Sequence, residues 1–448
     1  MTTYHIQAPG TLQTSILLPS SKSISNRALI INALCKSPKP IRNLSACDDT
    51  EVVIKALHKK KEVIDVGAAG TAMRFLTAYF AGQPGHYTLT GTDRMKNRPI
   101  RLLVDALRSA GAHIEYLEKE GFPPLHIKGQ TLKGGDIEID GSISSQYISA
   151  LLMMAPAMTH GLRVHLTGQI ISRTYINITI QLMRQYGVNV FQEDQTIAVP
   201  PQQYTSVDDF TVESDWSAAS YWYEMIALCK NDAAAVSLPG LWRDSLQGDA
   251  CIADLFETLG VETFFTPSGV TLTKKRRTVN NAGGTDAAGE ISALTKVDIP
   301  LVFDFTSMPD MAQTVVVTCV ALQIPFRFTG LQSLKIKETD RLLALQTELK
   351  KLGYLLEIYN DHTLAWNGER CPPVIGRNEA IQPPPVFATY DDHRMAMAFT
   401  PVSLYMESGI YIAGPEVVSK SYPSFWNDLK KANFIITEMN RNNLILNK

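Results

Sequence analysis

The sequence predicts an α/β protein in which one structural plan is repeated six times. Three observations support this prediction. Compact, almost wholly apolar segments recur after short polar runs, which is typical of helices enclosed by other elements. Segments with a single apolar stripe lie between them, as in outer helices with one face in water. Several of these end at a glycine followed by a strand-like run. Each unit therefore contributes an inner helix, an outer helix and short strands.

The first inner helix is predicted within residues 18–34, where four serines, Lys22, Asn26 and Arg27 precede an apolar run. The first N–H groups of a helix lack partners and carry partial positive charge, so this start suits an anion. A plain helix cap is the alternative, in which Ser23 or Ser25 accepts from those N–H groups. The same design recurs in five further segments: 69–80, 142–154, 215–228, 308–322 and 391–399.

Six amphipathic segments alternate with the inner helices. In the fifth of them, Leu342, Leu345 and Leu349 form one stripe, while Glu348 and Lys350 face away from it. Such helices pack with one face against the protein and expose the other. The predicted outer helices are 48–60, 97–110, 174–186, 248–259, 338–352 and 422–432.

Length and composition restrict the class of protein. A chain of 448 residues is too long for one ordinary core, so two domains are expected. With 45% hydrophobic and 19% charged residues it is globular, and a net charge of −2 gives no overall field for nucleic acid or an acidic membrane. No apolar run is long enough to span a bilayer, and the N-terminus lacks the pattern of a secretory signal.

Cysteine and histidine usage argue against a metal or redox site. The six cysteines are scattered with no CxxC spacing, which favours a reducing cytosol. No second histidine lies at ligand spacing from His393. The basic and glycine-rich run 274–284 is predicted to be an exposed hairpin or loop.

The helix starts carry an unusual set of charged side chains. If the six units pack with these starts together, they form one cationic pocket with a few embedded carboxylates. Arginine binds carboxylates bidentately and lysine acts as a point charge on phosphate, so the pocket suits substrates that carry both anions. Asp310 and Glu338 are then candidates for general acid and base. Taken alone, residues 337–341 are also consistent with a helix start whose charges serve only the helix.

Seven motifs, in order along nearly the whole chain, carry a family resemblance. They are 21–27 (SKSISNR), 69–74 (AGTAMR), 94–99 (RMKNRP), 141–146 (GSISSQ), 337–341 (KETDR), 392–397 (DHRMAM) and 420–423 (KSYP). Together they identify the chain as similar to the 5-enolpyruvylshikimate-3-phosphate synthases, the enolpyruvyl transferases of the shikimate pathway.

The resemblance implies two similar domains, each of three βαβαββ units around enclosed helices, an arrangement described as an inside-out α/β barrel. The expected N-terminal domain is 21–237, and the C-terminal domain is 1–20 plus 238–448. The active site is expected in the cleft between domains that close on the substrates. A cytoplasmic monomer is expected, with no nucleic-acid or membrane partner.

The resemblance also implies a reaction. The enolpyruvyl group of phosphoenolpyruvate is transferred to the 5-hydroxyl of shikimate 3-phosphate through a tetrahedral intermediate, and phosphate is released. No metal or organic cofactor is expected. The product leads to chorismate and the aromatic amino acids, and glyphosate is the family's inhibitor at the phosphoenolpyruvate site.

Residue by residue, the family motifs imply three groups. Asp310, Glu338 and Lys22 are the implied catalytic residues, with Asp310 as base toward the hydroxyl and Glu338, with Lys22, handling the proton at C3. The implied shikimate 3-phosphate contacts are Lys22, Ser23, Arg27, Ser144, Ser145, Gln146, Ser172, Tyr175, Asp310 and Lys337. The implied phosphoenolpyruvate contacts are Lys22, Gly70, Arg98, Gln146, Arg341, Arg394 and Lys420, with Arg74, Asp392 and His393 supporting them.

The chain departs from the family pattern in four places. Ala68 replaces an asparagine, Phe75 a proline and Ser333 a ligand-facing asparagine, while the segment 49–67 is short for the strands that close the first unit. Ala68 and Phe75 lead us to expect weaker sensitivity to glyphosate than in members with asparagine and proline there.

Two other functions are considered. The related UDP-N-acetylglucosamine enolpyruvyl transferases carry a cysteine near residues 94–98, and this chain has none there. The chain could also be an inactive anion-binding protein with the same fold. The joint presence of Lys22, Asp310, Glu338 and His393 argues against loss of catalysis.

Overall fold

The structure is a computed structural model. It describes residues 2–35, 39–58, 62–142, 144–275, 299–373 and 384–439. Most of the basic run 274–284, which was predicted to be a hairpin or loop, lies outside these residues. Within the described chain, no helix combines the length and the apolar character that crossing a membrane would require.

All twelve predicted inner and outer helices are present. The inner helices are apolar nearly all round because other elements cover them on every side; in Trp216–Leu228 only Ser217 is not fully buried. In chain order the α-helices are α1 Lys22–Leu34, α2 Asp48–His58, α3 Gly70–Ala81, α4 Asp93–Lys96, α5 Arg101–Ser109, α6 Ser145–Met154, α7 Arg173–Gln185, α8 Trp216–Leu228, α9 Ile252–Thr258, α10 Ala312–Ala321, α11 Arg341–Lys351, α12 His393–Phe399 and α13 Phe425–Lys431.

The strands form five four-stranded sheets in the described residues. They are β1 Thr3–Gln7, β2 Gln13–Ser15, β3 Val63–Asp65, β4 Gly85–Thr90, β5 His113–Tyr116, β6 Leu125–Gly129, β7 Gly135–Asp140, β8 Leu162–Thr167, β9 Phe191–Glu193, β10 Thr196–Val199, β11 Ala235–Pro239, β12 Val261–Thr266, β13 Gly269–Lys274, β14 Leu301–Asp304, β15 Phe326–Thr329, β16 Glu357–Tyr359, β17 Thr363–Trp366, β18 Val386–Ala388, β19 Ile410–Ala413 and β20 Ile435–Met439. None of the five closes into a barrel, although the α/β class itself is confirmed.

One sheet illustrates the repeated plan. Strand β7 runs parallel to β8 with Ile137 opposite Val164, and α6 connects them. After α7 the chain returns as the hairpin β9–β10, and β10 pairs antiparallel with β8. The order is therefore βαβαββ, as predicted. The N-terminal segment completes two later sheets, because β1 lies between β19 and β20 and β2 pairs with β11.

The first unit has no sheet in the described residues. Helices α1 and α2 are present, but only the isolated pairs Ser20–Ser214 and Arg42–Thr211 accompany them. Strand β3 follows α2 closely and pairs with β4 in the next unit's sheet. The short segment 49–67 thus leaves too little chain for strands that would close the first unit.

Two separate hydrophobic cores hold the molecule together. Inner helices α1, α3 and α6 lie in the first core, and α8, α10 and α12 lie in the second. Helix α8 belongs to the second core although it precedes residue 238, where the second domain was predicted to begin, and strand β11 of the same core spans that residue. Each core thus encloses three inner helices.

Polar side chains fix where the inner helices begin. The cap of α1 is Ser21, whose Oγ accepts from the Ile24 N–H at 3.4 Å, so the alternative cap by Ser23 or Ser25 is wrong. Ser25 is buried, and its hydroxyl accepts from the Ser45 N–H instead. Asp215 caps α8 and Asp392 caps α12 in the same way. These caps hold the helix starts at defined positions along one cleft.

Candidate active site

The starts of inner helices from both cores converge on one cleft of about 150 Å³, with an adjoining recess of about 70 Å³. Seventeen of the nineteen residues assigned to the site from the sequence line the cleft or the recess beside Glu338. They are Lys22, Ser23, Arg27, Gly70, Arg74, Arg98, Ser144, Ser145, Gln146, Ser172, Tyr175, Asp310, Lys337, Glu338, Arg341, His393 and Arg394. The other two, Lys420 and Asp392, contact acidic and basic groups of the recess directly.

Arg27 is a buried cation held entirely by neutral groups. Its Nε donates to Thr179 Oγ1 at 2.7 Å, and its terminal nitrogens donate to the Ser23 carbonyl and to Ser149 Oγ at 3.0 and 3.2 Å. Its Cζ lies 5.2 Å from the centre of the Phe75 ring. Burial lowers the pKa of Arg27 to about 10, so it stays charged at neutral pH. A buried charge without a counter-ion is costly, so this position favours an anionic ligand.

Arg74 and Arg98 extend this cationic wall. Arg74 is buried, and its guanidinium donates to the carbonyls of Gly70 and Pro99, both at 3.1 Å. The Arg98 guanidinium lies against Gly70, where an added Cβ would meet its terminal nitrogen at 2.6 Å. Among the described residues, no carboxylate is within ion-pair distance of Arg27, Arg74 or Arg98. We call these three residues the unpaired arginines.

Lys22 stands at the start of α1 between the unpaired arginines and the acidic groups. Its Nζ lies 3.5 Å from Asp49 Oδ2, at the beginning of α2. Burial lowers the pKa of Lys22, but the charge of Asp49, aided by Cys47 and Glu338, raises it above its ordinary value. Lys22 is therefore protonated at neutral pH and has a proton to donate.

Arg341 organises the opposite side of the cleft. Its Nε and one terminal nitrogen donate to Asp392 at 2.6 and 3.3 Å. The terminal nitrogens also donate to Asp310 Oδ1 at 2.7 Å and to Glu338 Oε2 at 2.9 Å. One guanidinium thus holds three carboxylates in fixed positions. We call Asp310, Glu338 and Asp392 the carboxylate cluster.

Asp310 is surrounded by cations. Lys337 Nζ lies 3.4 Å from its Oδ1 and an Arg394 nitrogen 3.7 Å from its Oδ2, while the Tyr175 hydroxyl is 3.5 Å from Oδ2. Burial raises the pKa of Asp310, but Lys337, Arg394 and Arg341 outweigh burial and hold that pKa well below its usual range. Asp310 is therefore ionised and can accept a proton. Burial raises the pKa of Tyr175 well above its ordinary value.

Glu338 has the same balance of charges. Its Oε1 accepts from Lys420 at 2.6 Å. Burial raises the pKa of Glu338, but Arg341, Lys420 and Arg98 hold it well below its usual range. His393 is buried with no partner for Nδ1 in the described residues. Burial lowers the pKa of His393 well below its ordinary value. Glu338 raises this pKa, but nearby cations lower it further, so the imidazole is neutral.

Hydroxyl and amide groups complete the first-core wall. Gln146 Nε2 donates to Thr71 Oγ1 at 3.2 Å, and Ser144 caps α6 with Ser145 as its first residue. Ser172 takes a left-handed backbone conformation with φ 57°, and its N–H donates to the Thr306 carbonyl at 2.8 Å. That bond joins chain of the first core to chain of the second beside the cleft.

Several contributors were not predicted from the sequence. Asp49, Ser149 and Thr179 each contact a predicted site residue but lie within helices whose patterns indicated only packing. Of the departures from the family pattern, Ser333 lines the cleft, Phe75 is fully buried behind Arg27, and Ala68 is exposed. In the described part of the chain, no group of three or more His, Cys, Asp or Glu side chains is placed to hold a metal ion.

Comparison with known proteins gives a consistent result. The family described as EPSP synthase (3-phosphoshikimate 1-carboxyvinyltransferase) matches residues 6–61 and 55–429. A 3-phosphoshikimate 1-carboxyvinyltransferase of Bacteroides fragilis (strain YCH46) is 53% identical over 432 residues, covering 96% of this chain and 98% of that protein. A protein of the same name from Sulfurovum sp. (strain NBC37-1) is 36% identical, covering 94% of this chain and 96% of its own length.

Solved structures share the fold at lower identity. EPSP synthase from Acinetobacter baumannii superposes with a TM-score of 0.73 and 19% identity, covering 98% of this chain and 100% of that one. The enolpyruvyl transferase NikO from Streptomyces tendae gives a TM-score of 0.68 at 14% identity, covering 98% and 99%. The resemblance drawn from the seven motifs is confirmed: the chain belongs to the EPSP synthase family, the 3-phosphoshikimate 1-carboxyvinyltransferases.

Proposed function

We propose that this cleft transfers the enolpyruvyl group of phosphoenolpyruvate to the 5-hydroxyl of shikimate 3-phosphate and releases phosphate. The observation that carries the proposal is the asymmetry of the cleft. On one side the unpaired arginines have no counter-ion among the described residues, and on the other side Arg341 holds ionised carboxylates. The first side suits anionic substrates, and the second suits proton transfer.

Shikimate 3-phosphate occupies the part of the cleft beside Arg27. Arg27 has N–H groups left over from its neutral contacts, and the hydroxyls of Ser144, Ser145 and Ser172 lie on the same wall. Charge-assisted hydrogen bonds to a phosphate are stronger than neutral ones, so binding relieves the cost of burying Arg27. Lys337 and Asp310 then hold the sugar ring on its other side, with the 5-hydroxyl toward the Asp310 carboxylate.

Phosphoenolpyruvate occupies the recess near Gly70. Arg98, Arg341, Arg394, Lys22 and Lys420 converge there and carry enough charge for one carboxylate and one phosphate. The absence of a Cβ at Gly70 leaves the room in which Arg98 lies. Both substrates therefore bind with their reacting atoms close together, and proximity contributes a large part of the rate acceleration.

The charge states assign the first half of the reaction. Asp310 is ionised and accepts the proton of the 5-hydroxyl as its oxygen bonds to C2 of the enol. Glu338 is also ionised and has no proton to give, whereas Lys22 is protonated. We therefore assign protonation of C3 to Lys22. The fixed cations of the cleft stabilise the tetrahedral intermediate, which carries both phosphate and carboxylate on C2.

The second half needs a base near C3. Glu338 takes a proton from the methyl group of the intermediate as the C2–O bond to phosphate breaks. Phosphoenolpyruvate competes with Glu338 and Asp310 for the surrounding cations. Binding of the substrate therefore raises the pKa of both carboxylates and makes them better bases than they are in the empty cleft.

We also propose how the chain is divided and where it acts. The residues of the two cores favour a chain that crosses between the domains near residues 20–21 and again near 213–215. Each domain would then contain three units. This moves the predicted boundary at 237 to the start of α8. Ser172 with Thr306 and Asp48 with Ser419 already connect the two cores across the cleft, and bound anions would strengthen closure. The protein acts as a cytoplasmic monomer.

The test is phosphate release from phosphoenolpyruvate by the purified protein. Shikimate 3-phosphate, UDP-N-acetylglucosamine or neither is added in parallel reactions. Release that depends on shikimate 3-phosphate is expected. Release that depends on UDP-N-acetylglucosamine would reassign the acceptor. No release from a folded protein in any reaction would reject the proposal in favour of a role in anion binding.

A further inference from the structure

The hydrogen bonds of Arg394 lead to a pair of residues, Ser217 and Asp249, that no motif identified. One of its terminal nitrogens donates to the Asp310 carbonyl at 3.1 Å, and the other donates to Ser217 Oγ at 3.4 Å. The Ser217 hydroxyl in turn donates to the Asp249 carboxylate. A serine hydroxyl has one proton to give and lone pairs to accept with, so Ser217 joins the cation to the acid.

The position of Asp249 suits such a task. Only 5% of the residue is exposed, and the one hydrogen bond that its carboxylate makes in the described residues is the bond from Ser217. It lies in the turn Gly248–Cys251, and Gly248 packs so closely on Thr174 that a Cβ would lie 2.3 Å from that side chain. Thr174 precedes Tyr175, which lines the cleft. The turn is thus fixed against α7 while its acid faces Arg394.

We propose that Asp249 and Ser217 are positioning residues that orient the Arg394 guanidinium toward phosphoenolpyruvate. The inference rests on the proposed role of Arg394 in binding that substrate. Because each terminal nitrogen is held by one hydrogen bond, the guanidinium is fixed and its remaining N–H groups are available to the ligand. A fixed fork loses less rotamer entropy on binding than a free side chain does.

Asp249 also makes this orientation dependent on pH. Burial raises its pKa to about 6, with the opposing effects of Arg394 and the Ser217 hydroxyl included. Below that pH the carboxylate is neutral and binds the Ser217 hydroxyl less strongly. Arg394 is then less firmly oriented, so affinity for phosphoenolpyruvate falls. The charged and titratable groups facing Asp249 are Arg394 on α12, Asp215 at the start of α8, Asp310, Tyr175 on α7 and Cys251 in its own turn.

The experiment measures KM for each substrate in the wild type and in Ser217→Ala, Ser217→Thr and Asp249→Asn. We expect Ser217→Ala and Asp249→Asn to raise KM for phosphoenolpyruvate roughly five- to ten-fold, the usual net effect of losing one hydrogen bond. KM for shikimate 3-phosphate should change less than two-fold, and Ser217→Thr should restore most of the loss. Asp254→Asn, an exposed acid on α9, is the matched control.

The pH dependence supplies a readout that a purely structural role would not affect. The phosphate of the substrate itself titrates near pH 6, but it does so equally for every variant. The ratio of KM between Asp249→Asn and the wild type should therefore shrink as pH falls from 8 to 5.5. A constant ratio, or equal increases in both KM values, would overturn the inference. An inactive wild type would instead reject the proposed function.

Discussion

The Lys420 ammonium lies 2.6 Å from Glu338 Oε1, while Arg341 holds the other oxygen of the same carboxylate at 2.9 Å. Glu338 thus stays ionised in a buried position because two cations contact it from different elements. Phosphoenolpyruvate must compete for those cations when it binds. The reactivity of Glu338 therefore depends on whether the recess is occupied.

Lys420→Met tests this dependence. Removing a cation raises the pKa of Glu338. As pH falls, the carboxylate that serves as base is therefore protonated at a higher pH than in the wild type. The acid limb of the profile of kcat/KM for phosphoenolpyruvate should move upward, and its plateau should fall roughly a hundred-fold, as for a buried charge contact. Lys420→Arg keeps the charge and should leave the limb in place. An unmoved limb in Lys420→Met would contradict the role of Glu338.

Gly70→Ala tests the placement of Arg98. The new methyl group would meet the guanidinium at 2.6 Å, and this flexible end of the side chain must move. We expect KM for phosphoenolpyruvate to rise about ten-fold, in line with loss of one charge-assisted contact, while thermal stability stays close to that of the wild type. Gly10→Ala, where a Cβ has open space around it, is the control. Equal kinetics for both variants would show that Arg98 does not bind this substrate.

Phe75→Leu tests the aromatic support of Arg27. Loss of the ring beside the guanidinium should raise KM for shikimate 3-phosphate about five-fold, within the range expected for loss of a cation–π contact. Phe80→Leu changes a buried ring on the same helix, away from Arg27, and should alter stability but not this KM. If Phe75→Leu and Phe80→Leu had the same KM for shikimate 3-phosphate, the contact between Phe75 and Arg27 would not contribute to binding.

The weaker glyphosate sensitivity expected from Ala68 and Phe75 remains a prediction. Phe75 is the sixth residue of α3, so a proline there would disturb the helix in this chain. A change in inhibition could then come from the altered helix and not from the altered side chain. Inhibition curves for Ala68→Asn and Phe75→Leu, alone and combined, are the better comparison. Tighter inhibition in the combined variant is expected, and unchanged curves would remove both residues from the explanation.

Glu224 makes stability depend on pH in a defined direction. It is fully buried in α8, and neither carboxylate oxygen has a hydrogen-bond partner in the described residues. Burial raises its pKa well above the ordinary value, so the folded protein binds a proton that the unfolded chain releases. Stability is therefore lost as pH rises above the unfolded pKa, near 4.5, toward the folded pKa.

Glu224→Leu removes this effect. We expect the variant to gain about 1–3 kcal/mol over the wild type at pH 8, the cost of an unpartnered buried polar group, and to gain less at pH 5. Thermal or denaturant unfolding of both proteins at the two pH values measures the difference. Groups common to both proteins cancel in it. A gain independent of pH would show that Glu224 is not the titrating group.

The repeated plan could be predicted because it depends on the pattern of apolar residues within short segments of sequence. Apolar periodicity located all twelve inner and outer helices, and the short segment 49–67 was consistent with a first unit that has no sheet of its own in the described residues. The predicted segments 215–228 and 391–399 begin within two residues of helices α8 and α12, which Asp215 and Asp392 cap. The cap of α1 is Ser21 and not Ser23 or Ser25, and the hydroxyl of Ser25 accepts from the distant Ser45 N–H, a contact that the local sequence does not reveal.

The partners of the site residues could not be predicted in the same way. Ser149 and Thr179 reach Arg27 across 122 and 152 residues of sequence, and Asp249 reaches Ser217 across 32. Nothing in their own helices distinguishes them from ordinary polar positions. Only the packing of the helices brings them together. The charge balance of the cleft therefore depends on the tertiary structure and not on local sequence.

The most direct test of the account follows the reaction in D₂O by NMR. If C3 is protonated to a methyl group and later deprotonated, deuterium enters the vinyl group of the product. The account predicts a deuterated enolpyruvyl ether of shikimate 3-phosphate, with one phosphate released for each ether formed. Phosphate without the ether, or an ether that retains only its original hydrogens, would contradict transfer by addition and elimination.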